Sequence, residues 1–280
     1  MREKTIKGIV KISGKTLHKG SNSTLILRPL PENSGIYFKS GEKIIPLSPE
    51  SVIDTKMATT IGKDGIKIYT VEHLMSAVTS FGITNLEIEI DSNEPPILDG
   101  SSKEFLEKIE KIGTVEQNVP RKVIIIKRDV KVQDGDKFVS ISPTKKGGFW
   151  IDSKIDFKHP AIGVQEFKLE VTLENYRKEI APARTFGFLK EFDYLKSQNL
   201  ALGANYTNVI VIGDDEVLNE DGLRFENEFV RHKILDVIGD FSILGMQIEG
   251  EYRSFASSHS LNYKLVQKIL SDKSNYDVIN

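Results

Sequence analysis

Residues 229–244, FVRHKILDVIGDFSIL, place apolar side chains along one face of a helix. The stripe consists of Val230, Ile234, Val237, Ile238, Phe241 and Leu244, a spacing typical of an amphipathic helix. His232, Asp236 and Asp240 fall roughly on the opposite face. Because His232 and Asp236 are four residues apart, their side chains project side by side, as a zinc site with imidazole and carboxylate ligands requires. A polar face opposite the core is also typical of a solvated surface helix, so this helix alone leaves both interpretations open.

A second helix is predicted over residues 70–81, TVEHLMSAVTSF, with Thr70 as a candidate cap and Gly82 after its end. A carboxylate beside a histidine, Glu72 next to His73, suits a site that activates water. Position 77 is Ala rather than a second histidine, so the helical two-histidine motif of zinc proteases is absent. The alternative is an ordinary acidic first turn on a surface helix.

Strands precede helices in both halves of the chain, which predicts an α+β fold. In the first half, strand 85–90 is followed by helix 102–112. In the second half, several strands between 123 and 171 precede helical patterns at 188–198 and 229–244. Between the halves, the polar stretch 113–121 is the candidate linker.

Composition limits the possible chemistry. The 280 residues include no cysteine and five histidines, so any metal must be bound by His, Asp or Glu. The net charge of −2 gives no basic surface for nucleic acid. No segment approaches about 18 consecutive apolar residues, so we expect no membrane insertion and a cytoplasmic location.

A third candidate segment is 257–262, SSHSLN, where His259 lies between a predicted strand and a predicted helix. A histidine surrounded by hydroxyl groups could be an acid or a base near neutral pH, or a loop histidine whose neighbours cap the helix. No serine lies in a nucleophile-elbow pattern, and no glycine run matches a phosphate-binding loop.

Taken together, these segments resemble the UDP-3-O-acyl-N-acetylglucosamine deacetylase family of lipid A biosynthesis. The runs that carry the resemblance are TVEHLMSA at 70–77, EPPILDGS at 94–101, DGDK at 134–137, IDFKHPAI at 155–162, ARTFGF at 183–188, LNEDGLRFENEFVRHKILDVIGD at 218–240 and HSLN at 259–262. One departure lies at position 19, where Lys19 stands in place of the threonine more often found in the family.

The resemblance implies a zinc enzyme that releases acetate from UDP-3-O-acyl-N-acetylglucosamine. It implies one Zn²⁺ per chain, with Fe²⁺ as a further candidate. The ligands would be His73, His232 and Asp236. Glu72 would be the general base. His259 would protonate the leaving amine with Asp240 beside it, while Thr185 and Lys233 would stabilise the oxyanion.

The fold that the resemblance implies is a two-domain sandwich, in which each domain is a sheet packed on helices and carries one small insert. The domains would be 1–118, with a hairpin insert near 35–62, and 119–280, with a βαβ insert near 185–213. Residues lining a passage for the acyl chain would be Phe186, Phe188, Leu189, Leu195, Leu200 and Leu202. An ordinary core position is equally compatible with each of these, because helical apolar spacing mostly reports packing.

Two other functions remain open from the sequence. A different zinc amidase or peptidase could use the same residues, and a two-domain binding module would need no catalysis. We expect a small-molecule substrate, no nucleic acid partner and a monomer. His18 is a candidate neighbour of the active site, and His159, before a proline, is expected in a loop.

Overall fold

The computed structural model describes residues 1–280 and confirms the α+β class. The helices are α1 (Glu72–Ser80), α2 (Lys103–Ile112), α3 (Leu173–Asn175), α4 (Leu189–Ser197), α5 (Glu228–Phe241) and α6 (His259–Leu270). The strands are β1 (Arg2–Ile6), β2 (Val10–Lys15), β3 (Asn22–Pro29), β4 (Ile36–Ser40), β5 (Lys43–Pro46), β6 (Val52–Asp54), β7 (Thr60–Lys63), β8 (Ile66–Ile68), β9 (Leu86–Ile90), β10 (Thr114–Pro120), β11 (Val123–Ile126), β12 (Val130–Asp134), β13 (Lys137–Ser142), β14 (Phe149–Phe157), β15 (Gly163–Glu170), β16 (Phe186–Phe188), β17 (Ile210–Ile212), β18 (Gln247–Phe255) and β19 (Tyr276–Ile279).

The first half is built on a five-stranded sheet in the order β2-β3-β9-β4-β5. In β9, Leu86, Ile88 and Ile90 are buried and alternate with two half-buried glutamates. This alternation with period two directs one face of the sheet to the core and the other to solvent. Strands β4 and β5 pair as an antiparallel hairpin at the edge of this sheet. A separate three-stranded sheet, β6-β7-β8, follows.

The second half is built on a seven-stranded sheet centred on β18. The start of β18 pairs in parallel with β11, and the rest of it lies between antiparallel β13 and parallel β14. Strands β16 and β17 form a small parallel pair, and α4 follows β16 directly, so residues 186–212 make a βαβ unit.

Helices α1 and α5 pack against each other at the centre of the molecule. A core of 48 buried residues includes side chains from both sheets and from both of these helices. In α5, both the apolar stripe and the polar side chains His232, Asp236 and Asp240 are buried. The solvated-surface interpretation of this polar face is therefore wrong, because α1 covers it.

The structure contradicts the predicted linker at 113–121. The expected linker is strand β10, which pairs antiparallel with β1. None of its side chains is buried, so it lacks the apolar alternation that reveals a strand. The division into domains at 118/119 stays a prediction. No helix combines the length and the apolar character that a membrane crossing requires.

Candidate metal centre and active site

Two helices that are distant in sequence bring three metal-binding side chains together. His73 is the second residue of α1, and His232 and Asp236 lie one turn apart on α5. All three side chains are buried, and their nitrogen and oxygen ligand atoms lie within 4.8 Å of one another. This group is the set of ligands implied by the sequence resemblance.

The hydrogen bonds leave ring nitrogens of this group free to bind a cation. Nδ1 of His232 lies 3.1 Å from the carbonyl oxygen of Ala183. It therefore donates its proton there, and Nε2 presents its lone pair 3.4 Å from Oδ1 of Asp236. Nδ1 of His73 is buried and no protein atom bonds it.

The charges of these side chains also fit a divalent cation. Burial lowers the pKa of His73 to about 3, and it lowers the pKa of His232 as well, so both imidazoles are neutral. Burial opposes ionisation of Asp236, but the Lys233 ammonium holds the pKa of Asp236 below its usual range. Two neutral nitrogens and one carboxylate are a donor set that zinc accepts while keeping a fourth position open.

Glu72 lies beside this group at the start of α1. Its side chain is 2% exposed, and its Oε2 accepts a hydrogen bond of 3.0 Å from the backbone N–H of Thr59. Its Oε1 lies 3.9 Å from Nε2 of His259. Burial raises the pKa of Glu72 to about 8. Near neutral pH this carboxyl group is therefore partly ionised, and its ionised form can take up a proton.

His259, which is half-buried, forms a pair with the buried Asp240. Nδ1 of His259 lies 2.9 Å from Oδ1 of Asp240 and donates to this carboxylate, so Nε2 faces Glu72. Burial disfavours the imidazolium and lowers the pKa of His259. The negative charges of Asp240 and, to a smaller extent, Glu72 have the larger effect and raise this pKa to about 9. A charged imidazole held in this way is a proton donor.

A cavity of about 500 Å³ connects these groups. Lys233 and Thr185, predicted from the resemblance, both line it, and Nζ of Lys233 lies 2.6 Å from Oδ2 of Asp236. His18 also lines the cavity. His159 does not line it; this residue lies in the loop between β14 and β15, where its Nε2 donates to the carbonyl oxygen of Gly213.

The apolar wall of this cavity comes largely from the βαβ unit. Phe186, Phe188, Leu189 and Leu195 line it, whereas Leu200 and Leu202 do not. No residue of α4 is buried. Ordinary core packing therefore does not explain the apolar side chains of this helix.

A sequence profile of the family described as UDP-3-O-acyl N-acetylglycosamine deacetylase matches residues 3–271. The chain belongs to this family. A deacetylase of that family from Nitratiruptor sp. is 50% identical over 281 residues, which cover 100% of this chain and 94% of that protein. The UDP-3-O-acyl-N-acetylglucosamine deacetylase of Wolinella succinogenes is 47% identical over 100% of this chain and 94% of that protein. The UDP-3-O-acyl-N-acetylglucosamine deacetylase of Campylobacter fetus is 46% identical over 100% of this chain and 95% of that protein. The resemblance seen in the sequence is confirmed.

Three polar residues around the deacetylase-family site were not singled out from the sequence. Oγ1 of Thr59 donates to Oδ1 of Asp240 at 2.6 Å, and Nδ2 of Asn262 donates to Oδ2 of Asp240 at 2.7 Å. Asn262 lies in the quoted run HSLN, but nothing in that run shows that it reaches α5. Thr59 belongs to a loop with no motif.

Glu94 is the third such residue. Its buried carboxylate accepts hydrogen bonds from the backbone N–H of His18 and from Oγ1 of Thr70. Thr70 does not cap α1 as predicted, because its own backbone has a φ of 53° and its hydroxyl is bound to Glu94. The helix begins after Val71, without a side-chain cap.

Gly239 sets the distance between α1 and α5. A Cβ atom built on Gly239 would overlap the backbone carbonyl of Glu72. Because helix backbones yield far less easily than the end of a flexible side chain, any larger residue would separate the two helices. The glycine thus allows Glu72 and His73 to approach the side chains of α5.

We expect Gly239→Ala to destabilise the protein by about 3 kcal/mol, the upper range for overpacking a close contact. The free energy of unfolding, measured in urea, tests this. Gly8→Ala is the matched control, since its Cβ would meet only the end of the Ile112 side chain at 3.1 Å. Equal stability of the two variants would show that the helices do not need this close approach.

Proposed function

We propose that this protein hydrolyses the N-acetyl group of UDP-3-O-acyl-N-acetylglucosamine in lipid A biosynthesis, releasing acetate with the help of a bound zinc ion. Family membership over nearly the whole chain and the names of its relatives support the deacetylase activity and its substrate. The buried group of His73, His232 and Asp236 is the observation that carries the metal dependence.

His73, His232 and Asp236 would hold the metal ion. When bound, the ion supplies the Lewis acidity that amide hydrolysis requires at neutral pH. Zinc fits a set of two imidazoles and one carboxylate, and Fe²⁺ accepts the same ligands. One ion per chain would occupy the group.

Glu72 acts as the general base in this proposal. Its carboxylate removes a proton from the water molecule that attacks the acetyl carbonyl carbon. The hydrogen bond from the backbone N–H of Thr59 holds Oε2 of Glu72 in place. The other carboxylate oxygen, Oε1, lies on the side of His259. The raised pKa of Glu72 makes this carboxylate a stronger proton acceptor than an exposed glutamate.

His259 acts as the general acid. As the C–N bond of the amide breaks, Nε2 gives its proton to the leaving amine, and Asp240 holds the ring from the other side through Nδ1. Lys233 and Thr185, which line the same cavity, would stabilise the oxyanion that forms at the carbonyl oxygen.

The apolar part of the cavity suits the acyl chain of the substrate. Phe186, Phe188, Leu189 and Leu195 would contact it, and two of these, Leu189 and Leu195, are on a helix without buried residues. Burial of the acyl chain against these side chains would provide binding energy remote from the amide.

Removal of the metal tests the proposal. We expect dialysis against a chelator to lower acetate release from UDP-3-O-acyl-N-acetylglucosamine by at least about a thousandfold, the effect of losing several kcal/mol of Lewis acid stabilisation. Added Zn²⁺ should restore the rate, whereas Mg²⁺, which prefers oxygen ligands, should not.

N-acetylated peptides are the control substrates for this experiment. Their efficient hydrolysis would favour the alternative of a general zinc amidase or peptidase. A fully active protein without metal would rule out the metal-dependent mechanism.

A further inference from the structure

A second cavity, of about 360 Å³, lies between the C-terminal end of α1, the last turns of α5 and the seven-stranded sheet. It shares no lining residue with the cavity of the metal group. Neither the family resemblance nor the proposed deacetylase mechanism uses it. We call it the Arg121 cavity, after the buried arginine that lines it together with Gly82, Phe149, Phe241 and Met246.

Arg121 is a buried cation without an anionic partner. The residue is 4% exposed, and none of its nitrogens has a carboxylate oxygen within 4.0 Å. No protein atom accepts a hydrogen bond from Nε. One terminal nitrogen lies 3.5 Å from the carbonyl oxygen of Gly82, and the other contacts the sulfur of Met1 at 2.8 Å, which is a weak acceptor.

This environment leaves most of the guanidinium donors unused. A guanidinium carries five N–H donors and stays protonated in proteins, and buried charges are normally paired. Burial lowers the pKa of Arg121 more than the charge of the more distant Glu116 raises it. An anion in the cavity would supply the missing partner.

The backbone at Gly82 leaves room for the guanidinium. Gly82 has a φ of 68°, and a Cβ built on it would collide with a terminal nitrogen of Arg121. Met1, which covers the other terminal nitrogen, is 84% exposed and can move aside. The guanidinium can therefore be reached without a change in the core.

The other walls restrict the type of anion. Phe149, Phe241 and Met246 present apolar surface. Glu170 lies against Gly148 and, with Glu249, places negative charge on another part of the wall. These carboxylates disfavour a ligand with several negative charges, and the aromatic walls favour one with an apolar body.

We propose that the Arg121 cavity binds an apolar monocarboxylate, of the chemical class of short fatty acids. The carboxylate would pair with the guanidinium of Arg121, and the hydrocarbon chain would lie against Phe149, Phe241 and Met246. Bidentate pairing of a carboxylate with arginine satisfies two of the unused donors at once. Lys4, which lies 3.9 Å from Glu116, also lines the cavity and adds a second positive charge.

Binding of labelled octanoate to the full chain, measured by equilibrium dialysis, tests this proposal. We expect Arg121→Met to weaken octanoate binding at one site by at least about tenfold, as loss of a charge-assisted pair implies. Arg128→Gln is the control, because Arg128 is an exposed arginine beyond the other end of β11, does not line the cavity and hydrogen-bonds Ser274. Octanol, which lacks the charge, should bind the wild type and Arg121→Met equally.

Methionine is chosen because replacing a buried unpaired charge with an apolar side chain of similar length is tolerated. A second measurement needs no variant: the amide NMR signals of Gly82 and Gly148 in the wild type should shift on titration with octanoate and remain in place with octylamine. Unchanged octanoate binding in Arg121→Met, or unshifted signals of both glycines in the wild type, would overturn the proposal. Acetate release, which tests the proposed deacetylase function, is measured separately from both of these experiments.

Discussion

His73→Ala is expected to release the bound metal and to reduce acetate release by at least about a thousandfold. The substitution removes one of three ligands from a group whose atoms lie within 4.8 Å of one another. His232 and Asp236 remain, but two donors from one helix do not complete a zinc site. Metal content per chain, measured by mass spectrometry after gel filtration, should fall in parallel with the rate of acetate release.

His159→Ala provides the control for metal content in this experiment. His159 lies outside the cavity of the metal group and hydrogen-bonds the carbonyl of Gly213. Its replacement should leave one metal ion per chain. If His73→Ala also retained a full complement of metal, the assignment of His73 as a ligand would be wrong.

Glu72→Gln is expected to separate metal binding from catalysis. Glutamine has the shape of glutamate and can still accept the hydrogen bond from the Thr59 backbone, but it cannot take up a proton. We expect the metal content to stay at one ion per chain while kcat falls by about 10²- to 10⁴-fold, the usual contribution of a general base.

Glu107→Gln is the matched control for the second variant. Glu107 is exposed on α2 and makes only a surface ion pair with Lys103. This control should keep both its metal and its rate. Near-normal turnover of Glu72→Gln would show that Glu72 is not the group that accepts the proton.

The main elements of the fold could be predicted because they carry strong periodic patterns. The apolar stripe of α5 and the alternation in β9 are examples, and both have the predicted structure. Strand β10 was missed because its mostly exposed side chains carry no such alternation. Its strand structure depends on pairing with β1, which is distant in sequence.

The metal group was predicted only with the help of the family resemblance. Within α5 alone, His232 and Asp236 could equally face solvent, since nothing in the local sequence shows that α1 covers them. The contacts of Thr59 and Asn262 with Asp240 arise from tertiary packing and have no local signature. Local periodicity thus identified the helices, and only the folded structure shows what surrounds the polar side chains.

The contact between α1 and α5 has a consequence for how the protein matures during synthesis. A growing chain on the ribosome exposes His73 long before residue 236 has been translated. Until α5 has folded against α1, with Gly239 over the carbonyl of Glu72, the three ligands cannot meet. We therefore expect the proposed metal ion to bind late in biogenesis, after most of the polypeptide has left the ribosomal exit tunnel.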